Sequence, residues 1–332
     1  MKIGGVSTVA MELYVVKKIL FLCPYYFDIY KIFQAGIERF SNCLVDVVVY
    51  KKEKFEYKGF QRAQNFFARN ILRKNMKPIW KSFAHVKDIA NPEQYDYMLV
   101  LCPDVLHVRH LEYLCSKVGR SIVYYWDGFD HFPAYKDSVK YFDVCYTFDP
   151  FDARKYGLKF ITNFHFEQAV VREFENDLFF LSTYDSRYPE LERIVSSFER
   201  NNMKVSVHQY SVDAALMAAP KSASIHFFDQ QIAFGRVNEM LRRSRFVLDL
   251  QKRIQRGLTF RVFEAMGYRK KLITTNADIV NYDFYDPNNI FVWREDTDSL
   301  PSSFLESPYV DLPDDIFYKY SQENWVKTVF DS

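Results

Sequence analysis

Two successive runs of alternating apolar strand and amphipathic helix predict an α/β protein. The expected architecture is two facing Rossmann-like domains with parallel sheets and a C-terminal helix that crosses back. Three observations carry this. Short, nearly continuous apolar runs recur (KILFLC, VDVVVY, YDYMLVLC, SIVYYW), as strands buried on both faces require. Helical patterns separate them, which favours parallel pairing. The chain's 332 residues exceed one ordinary core and fit two domains of roughly 150 residues each.

In the first half, strands are expected at residues 18–23, 45–50, 95–102, 121–126, 143–148 and 158–162. Helices fall at about 28–44, 105–118, 134–141 and 152–156. The pattern pauses around 163–177 and restarts with strands at 178–182, 204–210, 224–228, 246–250, 271–274 and 289–293. Helices fall at 188–202, 234–245 and from 257 onward. A last amphipathic helix is expected over about 314–329, with Pro313 near its start, where a missing N–H is tolerated. The expected units are a first domain at 1–170, a second at 171–313, and a helix at 314–332 returning to the first domain.

Composition narrows the function. A net charge of +2 argues against a dedicated nucleic-acid binder. Five cysteines (23, 43, 102, 115 and 145) include no C-x-x-C pair and read as reduced, buried thiols of a cytoplasmic protein. No run of 18 apolar residues offers a spanning helix. Residues 1–10 suggest a signal peptide, but Glu12, Lys17 and Lys18 interrupt any apolar core after them, so the fold is expected to begin near Tyr14. Zinc is not expected: His107 and His110 stand three apart without a Cys/His cluster. Walker, G-x-S-x-G and G-x-G-x-x-G motifs are missing too.

The stretch at 249–276 (DLQKRIQRGLTFRVFEAMGYRKKLITTN) is the most informative. Lys252, Arg253 and Arg256 crowd a loop after a strand, and Gly257 is expected to open a helix. Leu258, Val262, Phe263 and Met266 share one helical face, with Arg261, Glu264 and Tyr268 opposite. One reading is an αβ unit with a solvated charged face. The other is an anion site at a helix N-terminus, built from Arg256, Gly257, Leu258, Thr259 and Arg261, with Glu264 on ribose hydroxyls. Phosphate plus ribose means a nucleotide.

Two further clusters matter. Trp126-Asp127-Gly128-Phe129-Asp130-His131 follows an apolar strand, where loops line the ligand crevice of a parallel sheet. Asp127, Asp130 or His131 is placed to orient or deprotonate an acceptor hydroxyl; equally, Asp130 caps a helix and His131 is exposed. Arg187, in the first strand-to-helix loop of the second domain, is a diphosphate contact or a surface arginine. Residues 51–81 hold ten Lys or Arg interleaved with aromatics. This pattern suits anionic lipid headgroups or a lipid-linked acceptor, or a solvated connector.

The run from Gln255 to Gly267 (QRGLTFRVFEAMG), followed by Lys271-Leu272-Ile273-Thr274-Thr275-Asn276, resembles bacterial GT-B-fold glycosyltransferases. It is closest to the CgeB-like and capsule or lipopolysaccharide biosynthesis group. Asn281-Tyr282-Asp283-Phe284-Tyr285, Pro287-Asn288-Asn289-Ile290, Trp126-Asp127, Phe142-Asp143-Val144 and Phe148-Asp149 are similar to that group as well. The resemblance implies a metal-free, cytoplasmic enzyme that uses a nucleotide-sugar donor and a surface-polysaccharide or lipid-linked glycan acceptor. No cofactor is expected. Glu264 matches the second glutamate of the E-x7-E motif of retaining members, and the first falls at Arg256, so the resemblance does not carry stereochemistry. A nucleotide-sugar epimerase and a catalytically silent nucleotide- or sugar-binding protein share the architecture.

Overall fold

The computed structural model describes residues 16–26, 28–50, 55–166, 171, 173–213, 222, 224–230, 232 and 234–331. The expected beginning of the fold at Tyr14, the start of the 51–81 segment and the junction near residue 170 lie outside the described residues.

The first sheet runs through β1 (Lys18–Pro24), β2 (Leu44–Tyr50), β3 (Tyr97–Leu101), β4 (Arg120–Tyr125), β5 (Val144–Thr147) and β6 (Lys159–Phe160). Its helices are α1 (Ile29–Ser41), α2 (Gln61–Ile71), α3 (Lys77–Val86), α4 (Val108–Cys115), α5 (Tyr135–Ser138) and α6 (Pro150–Tyr156). The second sheet comprises β7 (Asn176–Thr183), β8 (Val205–Tyr210), β9 (Ile225–Phe228), β10 (Ser244–Asp249), β11 (Lys271–Thr274) and β12 (Ile290–Val292). With it go α7 (Tyr188–Arg200), α8 (Phe234–Arg242), α9 (Phe260–Gly267) and α10 (Ser302–Glu306). Two C-terminal helices follow, α11 (Asp314–Lys319) and α12 (Gln322–Asp331).

The strand orders are β2-β1-β3-β4-β5-β6 and β12-β11-β10-β7-β8-β9, and the pairs are parallel. Central strands are the apolar runs: β1 is buried over six of its seven residues, while edge strand β2 alternates. The second order is the 3-2-1-4-5-6 order of a dinucleotide fold, and the first is its flavodoxin-like relative. Each has one point where strand order reverses, between β1 and β3 and between β7 and β10. Ligand crevices open at such points, beyond the carboxyl ends of the strands.

Several boundaries move for identifiable reasons. The helix expected from residue 105 begins at Val108, because His107 is its N-cap and its ring accepts the Arg109 N–H at 3.2 Å. The helix expected from 257 begins at Phe260, with Thr259 as its extended N-cap. The single helix expected over 314–329 is two. Between them the Tyr320 carbonyl accepts the His165 N–H, and the Gln322 N–H donates to the His165 carbonyl, both at 2.9 Å. Backbone already pairing with residue 165 cannot continue an i to i−4 ladder, so the chain turns there and changes domain.

Helix α12 completes the first domain's core. Trp325, Val326, Val329 and Phe330 are buried with Ile19, Phe21, Phe33 and Tyr124. The Trp325 ring packs edge-on to Phe33 and Tyr124 at 5.3 and 5.2 Å and lies 5.2 Å from Phe164. The Gln322 amide donates to the Ile32 carbonyl at 2.7 Å, and a Cβ on Gly36 would sit 2.2 Å from it, so a larger residue there would displace that amide. Trp325→Ala is expected to cost roughly 3–5 kcal/mol, the range for emptying a large aromatic site. Urea unfolding of the full chain measures it.

Candidate active site

The two reversal points face each other across an open cleft of about 930 Å3. The first domain supplies Pro24, Tyr25 and Tyr26 after β1, Cys102, Asp104 and Val105 after β3, Trp126, Asp127 and His131 after β4, and Phe148 after β5. The second supplies Thr183, Tyr210, Lys252, Gln255 and Thr259. One wall is mainly aromatic and the other mainly polar.

The loop after β10 is tied on every side. The Leu250 carbonyl accepts from the Arg187 guanidinium. The Gln251 N–H donates to Thr275 Oγ1 at 2.9 Å, and its amide donates to the carbonyls of Gln255 and Gly257 at 2.6 and 3.2 Å. Beneath it, Asp249 is buried at the end of β10 and accepts both the Thr259 and Thr274 hydroxyls at 2.8 Å. Burial raises the Asp249 carboxyl above its ordinary range, opposed by those hydroxyls and by Arg261 and Arg187. A carboxylate that buried needs such donors.

The same loop grips the first domain. Gln255 donates to Asp127 Oδ1 at 2.8 Å. The Arg256 N–H donates to Asp149 Oδ2 at 3.3 Å, while the other oxygen of Asp149 caps α6 through the N–H groups of Phe151 and Asp152. The Arg256 guanidinium lies 3.6 Å from Asp130 and 3.9 Å from the Phe151 ring centroid. Asn163 takes the Tyr124 hydroxyl on its carbonyl and donates to the Leu258 carbonyl, at 2.7 and 2.9 Å. A Cβ at Gly257 would sit 2.5 Å from the Phe148 carbonyl oxygen. Gly257 is therefore a site of close backbone approach between domains and not the start of a helix.

Of the residues singled out by sequence, Asp127, His131 and Thr259 line the cleft. Asp130 does not line it; it is exposed and pairs with Arg256 instead of capping a helix. Leu258 is core, 1% exposed. Arg187 folds back onto Asp185, with contacts of 2.7–3.1 Å. The face of α9 that sequence left open to a solvated or an anion-binding reading is largely covered. Glu264 is 7% exposed and Tyr268 1%, Arg261 lies 2.8 Å from Glu264, and its guanidinium sits 5.2 Å from the Phe179 ring. A carboxylate removed from water on a short helix takes the nearest cation, here three residues away. Arg256, Gly257, Arg261 and Glu264 thus support the site from behind and from its edge.

Lys252, which sequence placed in the basic loop without a role, lines the cleft. Arg187, Arg256 and Arg261 each have a carboxylate within 4 Å; among the described residues, Lys252 has none. Its charge reaches both domains. Burial, and then Lys252, hold the His131 imidazole below its ordinary 6.5, leaving it neutral at pH 7. Burial would raise the Asp185 carboxyl, but Arg187, with a smaller contribution from Lys252, outweighs this and lowers it. Asp104, Tyr26 and Trp126 also border the cleft, and the Tyr26 and Trp126 rings meet edge-on at 6.2 Å. Only the strand order reveals Asp104, because it sits at the reversal point. Among the described residues no group of three His, Cys, Asp or Glu is arranged to hold a metal ion.

No known family's sequence model matches the chain, and no curated protein matches it. Solved structures similar in chain path span nearly all of it. S. aureus MnaA with UDP shares 11% identity (TM-score 0.49; 93% of this chain, 92% of that). Anabaena HepE with UDP-glucose shares 10% (0.48; 94% and 95%). Acinetobacter baumannii MurG shares 9% (0.47; 95% and 100%). The assignment of two Rossmann-like domains rests on the strand orders.

Two substitutions separate support from binding. Gly257→Ala is expected to cost about 1–3 kcal/mol by overpacking against Phe148. Glu264→Ala, which leaves the half-buried Arg261 without its partner, is expected to lose about 1–3 kcal/mol. Both losses are read by denaturation without any nucleotide.

Proposed function

We propose that the chain is a metal-independent glycosyltransferase. The observation that carries this is the pairing of two strand-order reversals over one cleft, polar on one side and aromatic on the other. The donor is a nucleotide-sugar, bound at the β7/β10 crevice. Lys252 meets its diphosphate, and the tied loop from Leu250 to Thr259 presents that lysine in a fixed position. Preorganised charge at a departing diphosphate is worth most where little reorganisation is needed. The acceptor hydroxyl approaches from Tyr26, Trp126 and Asp104.

In the transfer, the acceptor oxygen bonds to the sugar's anomeric carbon as the bond from that carbon to the diphosphate oxygen breaks. The nucleoside diphosphate leaves with the electron pair. The acceptor proton passes to His131, neutral and therefore able to take it, or to Asp127, whose orientation Gln255 fixes. Arg187 acts by holding the β7 and β10 loops together, and Arg256 by joining the domains. The resemblance of residues 255–267 favours a surface-polysaccharide acceptor, carried on a lipid at the inner face of a membrane reached through residues 51–81.

Incubation with a panel of nucleotide-sugars, with and without a lipid-linked glycan, tests this. Acceptor-dependent release of nucleoside diphosphate is expected. An epimer formed from donor alone, or binding with no turnover, would overturn it. Lys252→Met is expected to weaken nucleoside-diphosphate binding by about tenfold or more, as loss of a charge-assisted contact does, read by thermal shift with UDP and other diphosphates. With His131 as base, kcat/KM falls with acidification only below pH 6.5, because the imidazole must be neutral. His131→Ala is expected to lose roughly 10²–10⁴-fold together with that acid limb; a surviving limb would assign it to Asp127.

A further inference from the structure

Helix α2 is built the wrong way round for a helix that packs on its own domain. Its one buried residue is Asn65, whose amide donates to the Tyr57 hydroxyl at 3.0 Å and whose carbonyl accepts the Met76 N–H at 2.7 Å. Its large apolar side chains face outward: Phe66 is 64% exposed, Phe67 59% and Ile71 72%, with Phe60 (84%) and Leu72 (63%) at its ends. At 100° per residue, Phe66, Phe67 and Ile71 fall on one arc opposite Asn65. A polar anchor thus holds the helix while a continuous apolar patch is left in water, larger than scattered surface hydrophobics explain.

The charge around this patch has one sign. Between residues 55 and 81 stand seven lysines and arginines against Glu56 alone, and among the described residues none of the seven has a carboxylate within 4 Å. No helix of the described chain is long and apolar enough to cross a membrane, so contact would be made from the surface. Beside α2, Lys77 and Lys81 of α3 border a second cavity of about 630 Å3, which shares Asp104 and Val105 with the main cleft.

We propose that α2 is an interfacial anchor for an anionic bilayer. Phe66, Phe67 and Ile71 enter the acyl boundary, and Arg62, Arg69, Arg73 and Lys74 meet lipid phosphates. Docked this way, the α3 cavity becomes the route by which a lipid-borne acceptor reaches Asp104. The docking stands apart from the glycosyl-transfer reading; only the cargo of the route rests on it. The test is co-sedimentation of the full chain, without donor, with vesicles of phosphatidylcholine alone or mixed with phosphatidylglycerol.

Binding to the mixed vesicles only, weakened by salt, is expected. F66S/F67S/I71S and R69Q/R73Q/K74Q should each lose at least about tenfold in affinity. Both triple variants replace exposed side chains, so their thermal unfolding midpoints without ligand should equal the parent's, which shows that they are folded. Equal sedimentation with both vesicle types, or variants that bind like the parent, would overturn the proposal. So would a self-association that F66S/F67S/I71S abolishes, since the occupant would then be a second copy. Failure of sugar transfer leaves this result unaffected.

Discussion

The contact between Gly257 and Phe148 sets the geometry of everything around the cleft. Two backbones meet there with no room for a methyl group, and the loop that makes the contact is the one that carries Lys252 and Gln255 to the cleft. Because Gln251, Thr275 and Arg187 bind that loop from its own domain, pressure from Phe148 is passed on and not absorbed. Asp149 couples this to the first domain by capping α6 with one oxygen and holding the Arg256 N–H with the other.

Around this contact the charges sort by environment. A charge withdrawn from water without a partner is costly, so Arg187 settles on Asp185 and Arg261 on Glu264, while the exposed Arg256 pairs with Asp130. The arginine pairs within a domain stiffen the polar wall, and Arg256 spans the gap. What is left facing the cleft is a lysine, with a compact, strongly hydrated head on a flexible stem, suited to following a diphosphate from bound sugar to leaving group.

Much of the fold was legible because strands buried on both faces carry a strong apolar signature: residues 18–23 and 121–126 could scarcely be anything else. Strand order was not legible, and the reversal points follow from it alone; hence Asp104 and Lys252 went without roles, while Asp127, His131 and Thr259, singled out from sequence, do border the cleft. The stretch at 249–276 stands out by its pattern and does contribute to the cleft, but periodicity cannot show that the far face of a helix is covered. Arg261, Glu264 and Tyr268 therefore read as one face, either solvated or, for Arg261 and Glu264, in contact with a nucleotide; Glu264 and Tyr268 are buried and Arg261 is half-buried. Gly257 was noticed for a real reason, yet a glycine that allows close approach looks in sequence like one that opens a helix.

The crossing at residues 320–322 has a consequence for how the molecule is made. The second domain's core draws mainly on one contiguous stretch, from β7 to α10, and can collapse as that stretch appears. One of the first domain's two core clusters joins Ile19 to Phe330, so that side of its sheet stays open until α12 has been made. One face of β1 and β3 is covered within the first 158 residues; the other therefore waits for α12. The later-made lobe is the one able to mature first, the reverse of the usual order for a growing chain.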